Sequence, residues 1–206
     1  MKNIIHYLKQ NVLNYPGKTA FCDERRKLTY AELYDETVKL ANAIASKRLM
    51  KCPVAVFIDK SVECVAAYLG VIYSGNFYSP LDTSMPKSRI NKILTTLDAK
   101  LIITDKKHLK EVKEFAPDID IIVYEEAQSH EVDTELPEKA IAGVISSDIM
   151  YVLFTSGSTG IPKGVVISHG ALMDFADWAV EKYGLNESTV FGNQVPFYFS
   201  MSIWDI

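Results

Sequence analysis

The chain has 206 residues, 48% hydrophobic and 23% charged, with 22 Lys and Arg against 26 Asp and Glu for a formal net charge of -4. That is the balance of an ordinary globular protein with a sizeable core, and a mildly acidic chain without a basic block excludes nonspecific nucleic-acid binding as its role. The longest apolar run, residues 64–73, is too short to span a bilayer, and Lys9 interrupts any signal-peptide core, so no membrane partner and a cytoplasmic location are expected.

In chain order, Ile4, Ile5, Leu8, Val12 and Leu13 repeat at helical spacing and stop at Asn14-Tyr15-Pro16-Gly17. Residues 19–22 form a short strand, and Asp23-Glu24-Arg25-Arg26-Lys27 a charged turn. Thr29 followed three residues later by Glu32 is a capping box, which predicts a helix running to about residue 47 with Leu33, Thr37, Leu40, Ala41, Ile44 and Ala45 inward. Residues 54–58 are a continuous apolar strand, as when both faces are covered, and residues 62–74 an alanine-rich buried helix.

A strand entering a turn follows at 76–82, then a helix at 87–97, a strand at 100–104, a short helix at 107–115 and a strand at 119–124. This alternation predicts an α/β layered fold with a largely parallel sheet and flanking helices. Residues 125–147 are acidic and poor in aromatics, which predicts a solvated connection. The scattered cysteines, Cys22, Cys52 and Cys64, and the four histidines show no metal-ligand spacing, so no metal site built from protein ligands is expected.

The most informative stretch is Thr155-Ser156-Gly157-Ser158-Thr159-Gly160-Ile161-Pro162-Lys163-Gly164, between an apolar strand at 151–154 and a β-branched one at 165–167. It holds four hydroxyls, three glycines and one cation, and no carboxylate to repel an anion. Glycines let backbone N–H groups approach a polyphosphate, the hydroxyls donate, and the lysine adds a mobile positive charge. A Walker P-loop is excluded, because Lys163 is followed by Gly164 and a strand rather than by Ser or Thr and a helix.

These ten residues, with Ser168-His169-Gly170 after them, resemble the phosphate-binding signature of the adenylate-forming (AMP-binding) superfamily: acyl-CoA synthetases, luciferases and peptide-synthetase adenylation domains. Residues 28–33 and 69–82 resemble two further core motifs, although Asn76 stands where a smaller residue is usual. Asn193-Gln194-Val195-Pro196-Phe197 and Asp177-Trp178 look like the D-alanine-activating carrier-protein ligases within the family.

The resemblance implies phosphate contacts from Thr155, Ser156, Gly157, Ser158, Thr159, Gly160 and Lys163, with Lys163 also neutralising the departing pyrophosphate. It implies ATP with Mg²⁺, a small carboxylic-acid substrate, and a thiol acceptor on coenzyme A or a carrier protein's phosphopantetheine. Residues 192–206 resemble a fourth core motif, where a strand meets the acyl pocket, which assigns Phe199, Ser200 and Ser202 to the pocket border. Amino-acid-activating relatives carry an aspartate at the position of Ser200. A serine cannot neutralise an α-ammonium, so the expected substrate lacks one or holds it elsewhere.

The resemblance spans residues 1–206 but only the front part of a family enzyme. The lid with its catalytic lysine and the adenine-stacking segment lie outside it, so the chain is expected to be an N-terminal portion inactive alone, self-associating through apolar surface near Ile206. The competing expectation is a noncatalytic nucleotide-binding or interaction module, or an acyl-CoA synthetase fragment.

Overall fold

The computed structural model describes residues 3–129, 132–155 and 161–206. Helix α1 (Ile4–Asn14) buries Ile5 and Leu8, whereas Leu13, beside that stripe, faces solvent. Strands β1 (Thr19–Cys22) and β2 (Lys27–Thr29) pair antiparallel, so the charged turn leads into a second strand before the helix begins. The Asp23 carboxylate closes this turn, accepting from the backbone N–H of Arg25 at 2.8 Å and of Arg26 at 2.9 Å.

Helix α2 (Tyr30–Ala45) starts at the expected capping box. The Thr29 hydroxyl accepts from the Glu32 N–H at 3.3 Å, and the Glu32 carboxylate accepts from the Thr29 N–H at 2.8 Å. Its buried stripe packs on α3 (Val62–Tyr73), where a Cβ at Gly70 would stand 2.9 Å from Leu40 Cδ2; the two helices approach closely because Gly70 has no side chain.

The main sheet has six strands in the order β6-β5-β3-β4-β7-β8: β3 (Pro53–Phe57), β4 (Phe77–Pro80), β5 (Leu101–Thr104), β6 (Asp120–Val123), β7 (Ile149–Thr155) and β8 (Lys163–Ser168). The first five run parallel and β8 antiparallel to β7. Val54 and Val56 face one apolar cluster with α1, α2 and α3; Ala55 and Phe57 face the other with α4 (Lys87–Leu97) and α5 (Leu109–Phe115). Burial on both faces explains why β3 and β5 read as unbroken apolar runs.

Asn76 is explained by tertiary hydrogen bonds. Its Oδ1 accepts from the Cys52 N–H at 3.0 Å and its Nδ2 donates to the carbonyls of Leu49 at 3.2 Å and Ser74 at 3.1 Å, stitching the turns before β3 and β4 together.

Two expectations are corrected. Residues 125–147 are not a solvated connection: α6 (Tyr124–Ala127) and α7 (Glu135–Ala142) pack against α2, and α7 also against α3, burying Tyr124, Ala127, Pro137, Ile141 and Val144. The apolar residues are few but fall at helical spacing, and Glu138 of this stretch accepts from the Tyr73 phenol, while Tyr124 donates to Glu36 on α2. Residues 190–206 contain no strand; after α8 (His169–Tyr183) the chain is irregular until a 3₁₀ turn at Ser200–Trp204. On α8 itself, Met173 and Ala179 are buried and Phe175 is exposed. Among the described residues no helix is long and apolar enough to cross a membrane.

Candidate functional site

Because the first five strands are parallel, their carboxyl ends share one edge of the sheet, the edge at which open α/β folds bind ligands. Tyr78 is level with Tyr151, so β4 and β7 finish together near Asp82 and Thr155. The antiparallel β8 begins at this same edge, with Lys163 paired to Thr155. The paired ends of β7 and β8, Thr155 and Lys163, therefore stand together at the carboxyl edge. Of the expected phosphate contacts, Ser156, Gly157, Ser158, Thr159 and Gly160 lie outside the described residues, while Thr155 and Lys163 bracket them.

Thr155 is exposed at the strand end, and its hydroxyl makes one long bond, 3.5 Å, to the Lys163 carbonyl. Lys163 is exposed, and its ammonium has no hydrogen-bond or ion-pair partner among the described residues. Gly164 has a packing reason: a Cβ there would stand 2.8 Å from Val152 Cγ1 and 3.4 Å from the Phe154 ring across the hairpin.

Segment 193–205 reaches the same edge. Lys60, in the loop after β3, donates to the carbonyls of Asn193 at 2.8 Å and Val195 at 3.0 Å, and its ammonium stands 5.4 Å from the centroid of the Phe197 ring. Phe197 meets Tyr68 edge-on at 6.0 Å, Tyr68 stacks on Tyr78 at 4.3 Å, and Tyr78 lies 5.6 Å from Tyr151 on β7. Burial pushes the Tyr68 and Tyr78 phenols well above their ordinary range, so both are neutral packing groups. Tyr198, also raised, by burial and by the Asp82 carboxylate, lies against the loop after β4.

The three residues expected at the pocket differ in what they present. Phe199, 54% exposed, and Ser200 face outward. Ser202 is fully buried, and its hydroxyl donates to the carbonyls of Phe199 at 2.7 Å and Phe197 at 3.3 Å. Nothing local in the sequence pointed to Lys60, because its partners lie more than 130 residues away.

A second polar group lies on this edge, nearer the middle strands. Asp59 accepts from the Thr83 hydroxyl at 2.6 Å and from Lys107, and these donors hold its carboxyl low against the upward push of burial. His108 lies between Asp105, 2.7 Å from its Nδ1, and Asp59, 3.4 Å from its Nε2. These contacts lock the loops after β3, β4 and β5 together.

At the opposite end of β8, His169 is 1% exposed and its Nδ1 has no partner among the described residues; burial pushes the imidazole down to about 4, against the pull of Asp148. It borders a cavity of about 150 Å³ lined by Lys51, Asn76, Phe77 and Asp148.

The model of the AMP-binding enzyme family matches residues 8–206. The chain belongs to that family. The D-alanine–D-alanyl carrier protein ligase of Bacillus cereus is 31% identical over 98% of this chain and 40% of its own length. The AMP-binding chain described here thus spans about 40% of the length of the curated relatives it matches.

Solved structures agree on the fold. The nonribosomal peptide synthetase FmoA3 superimposes with a TM-score of 0.86 at 20% identity, covering 99% of this chain and 21% of that one. The o-succinylbenzoate-CoA synthetase MenE of Bacillus subtilis, in complex with its acyl-adenylate intermediate, gives 0.81 at 19% identity, covering 98% and 52%. The same enzyme in complex with ATP and magnesium ion gives 0.78 at 19% identity, covering 96% and 52%.

Proposed function

We propose that this chain binds ATP through the hairpin between β7 and β8 and carries part of a centre for carboxylic-acid adenylation. In that reaction a carboxylate oxygen attacks the α-phosphorus, the bond to the bridging oxygen breaks, and pyrophosphate leaves as the acyl-adenylate forms. Transfer to the thiol of coenzyme A or of a carrier's phosphopantetheine would follow. The observation that carries the reading is the pairing of Thr155 with an exposed Lys163 at the carboxyl edge of the sheet, the lysine side chain having no partner among the described residues. Residues 156–160, between them, are assigned with Thr155 and Lys163 to the phosphates by sequence. A cation there stabilises charge that grows on the leaving pyrophosphate.

Magnesium fits this arrangement. Among the described residues no three His, Cys, Asp or Glu side chains gather as a metal cage. A magnesium ion carried on phosphate oxygens and water needs no such cage. It would neutralise phosphate charge, while this chain supplies the lysine, hydroxyls and backbone donors.

The substrate class rests on Ser200, at the position where amino-acid-activating relatives carry an aspartate. The curated relatives are named for D-alanine, whose α-ammonium requires a counter-charge in a low-dielectric pocket. Ser200 offers none, which favours an acid without a free α-ammonium or one held by another residue. In an enzyme carrying this chain, Ser200→Asp is expected to shift preference toward α-amino acids; unchanged preference in pyrophosphate exchange overturns this assignment.

The deciding experiment pairs ATP calorimetry on this chain with ATP–pyrophosphate exchange over pools of amino, aryl and aliphatic acids. Exchange with one pool supports adenylation and names the substrate class. ATP binding without exchange favours the second reading, a nucleotide-binding unit without turnover by itself. Absence of ATP binding sinks both. The exposed Phe199, Met201, Val190 and Trp178 further suggest self-association, read as a concentration-dependent mass by light scattering.

A further inference from the structure

We infer that Lys60 is the positioning residue of segment 193–205, holding the Phe199–Ser200 corner in place against the sheet; this rests on the proposed adenylation site. The segment has no ladder of its own among the described residues. Its order comes from a few side chains. Asn193 Nδ2 donates to the Ser202 carbonyl at 3.3 Å and to Asp205 Oδ2 at 3.0 Å, and the Ser202 hydroxyl donates to the carbonyls of Phe199 and Phe197. These bonds fold the segment onto itself. They do not attach it to the sheet.

Attachment at the end of β3 comes from Lys60, beside the Phe197–Tyr68 ring contact and the contacts of Trp204 with Phe175, Trp178 and Tyr183 on α8. The Lys60 ammonium satisfies the Asn193 and Val195 carbonyls together, and the Phe197 ring lies beside it. Charge-assisted bonds of this kind are stronger than neutral ones, and the ring adds a cation–π contact. No carboxylate competes, since Lys60 has no ion-pair partner among the described residues.

The base of the tether is rigid. Phe57 is fully buried on one side of the loop, and on the other Ser61 caps α3, its hydroxyl accepting from the Cys64 N–H at 3.2 Å. The Phe197–Tyr68–Tyr78–Tyr151 contacts then connect the tethered segment to β7, the strand that delivers Thr155. Through Lys60, the end of β3 sets where the acyl-side corner stands relative to the phosphate-side hairpin.

Hydrogen exchange on the intact chain tests this, with Lys60→Met, Lys60→Arg and Phe197→Leu. Lys60→Met is expected to speed exchange across residues 193–202 by about tenfold or more while β3, β4 and β7 keep their protection. Lys60→Arg retains charge and donors, and restores slow exchange. Phe197→Leu keeps both hydrogen bonds and gives an intermediate rate; if Lys60→Met does not fold, the Arg and Leu variants carry the comparison. Unchanged exchange in Lys60→Met, or Phe197→Leu and Lys60→Arg both as slow as wild type when Lys60→Met does not fold, overturns the tether; so does Lys60→Arg as fast as Lys60→Met, or a loss of protection spread over the whole sheet. ATP affinity of the same variants should stay within about twofold of wild type, and a large fall in Lys60→Met counts against a local positioning role. A wild-type chain that binds no ATP defeats the adenylation reading alone, because exchange at 193–202 still decides the role of Lys60.

Discussion

Thr155 and Lys163 face each other as the last pair of the β7–β8 ladder, the Thr155 hydroxyl 3.5 Å from the Lys163 carbonyl. The pairing fixes both ends of the intervening turn. Lys163, exposed and without a side-chain partner among the described residues, is held at one of those ends, and its charge is available to a ligand.

Lys163→Met is therefore expected to weaken ATP binding by about tenfold to a hundredfold, the worth of a hydrogen bond to a charged group. Unfolding free energy should stay within about 0.5 kcal/mol of wild type, because the side chain is exposed and has no partner among the described residues. Calorimetry with ATP and urea unfolding on the same variant separate the two effects.

Gly164→Val should act in the opposite sense, on stability first. The added atoms meet Val152, a stiff β-branched side chain already buried in β7, so a loss of about 1–3 kcal/mol is expected in urea unfolding. A variant as stable as wild type would assign this glycine to ligand approach instead of packing.

Ser202→Ala removes the hydroxyl that holds the carbonyls of Phe199 and Phe197. The site is fully buried, so a cost of about 1 kcal/mol is expected, together with faster proteolysis within residues 193–205. Unaltered stability and proteolysis would show that the turn holds without this side chain.

His169 sets a pH dependence. Burial holds its folded value at about 4 against an ordinary value near 6.5, with Asp148 opposing and the Lys51 ammonium bordering the same cavity. Between those values the unfolded chain binds more protons than the folded one. The stabilisation is complete above about pH 6.5 and is lost as pH falls toward 4. The urea midpoint of wild type should drop more steeply from pH 7 to pH 5 than that of His169→Gln, which carries no titrating ring; parallel profiles would remove His169 from the account.

The sequence by itself determined whatever depends on near neighbours. The Thr29–Glu32 capping box, the unbroken apolar β3 and the helices after it rest on contacts within a few residues or on one repeating period. The hydroxyl-and-glycine run at 155–164 was legible because donor chemistry is written directly in residue types. Only the tertiary structure decided that β8 turns back antiparallel at the sheet edge, that Gly164 is needed by Val152, and that α6 and α7 bury a stretch which composition alone made look solvated. It also decided that Lys60 meets carbonyls at 193 and 195, and that Ser202 faces its own backbone while Ser200 faces outward. Those outcomes turn on which distant segments share a face or an edge, and packing between residues far apart in the chain leaves no local period to read.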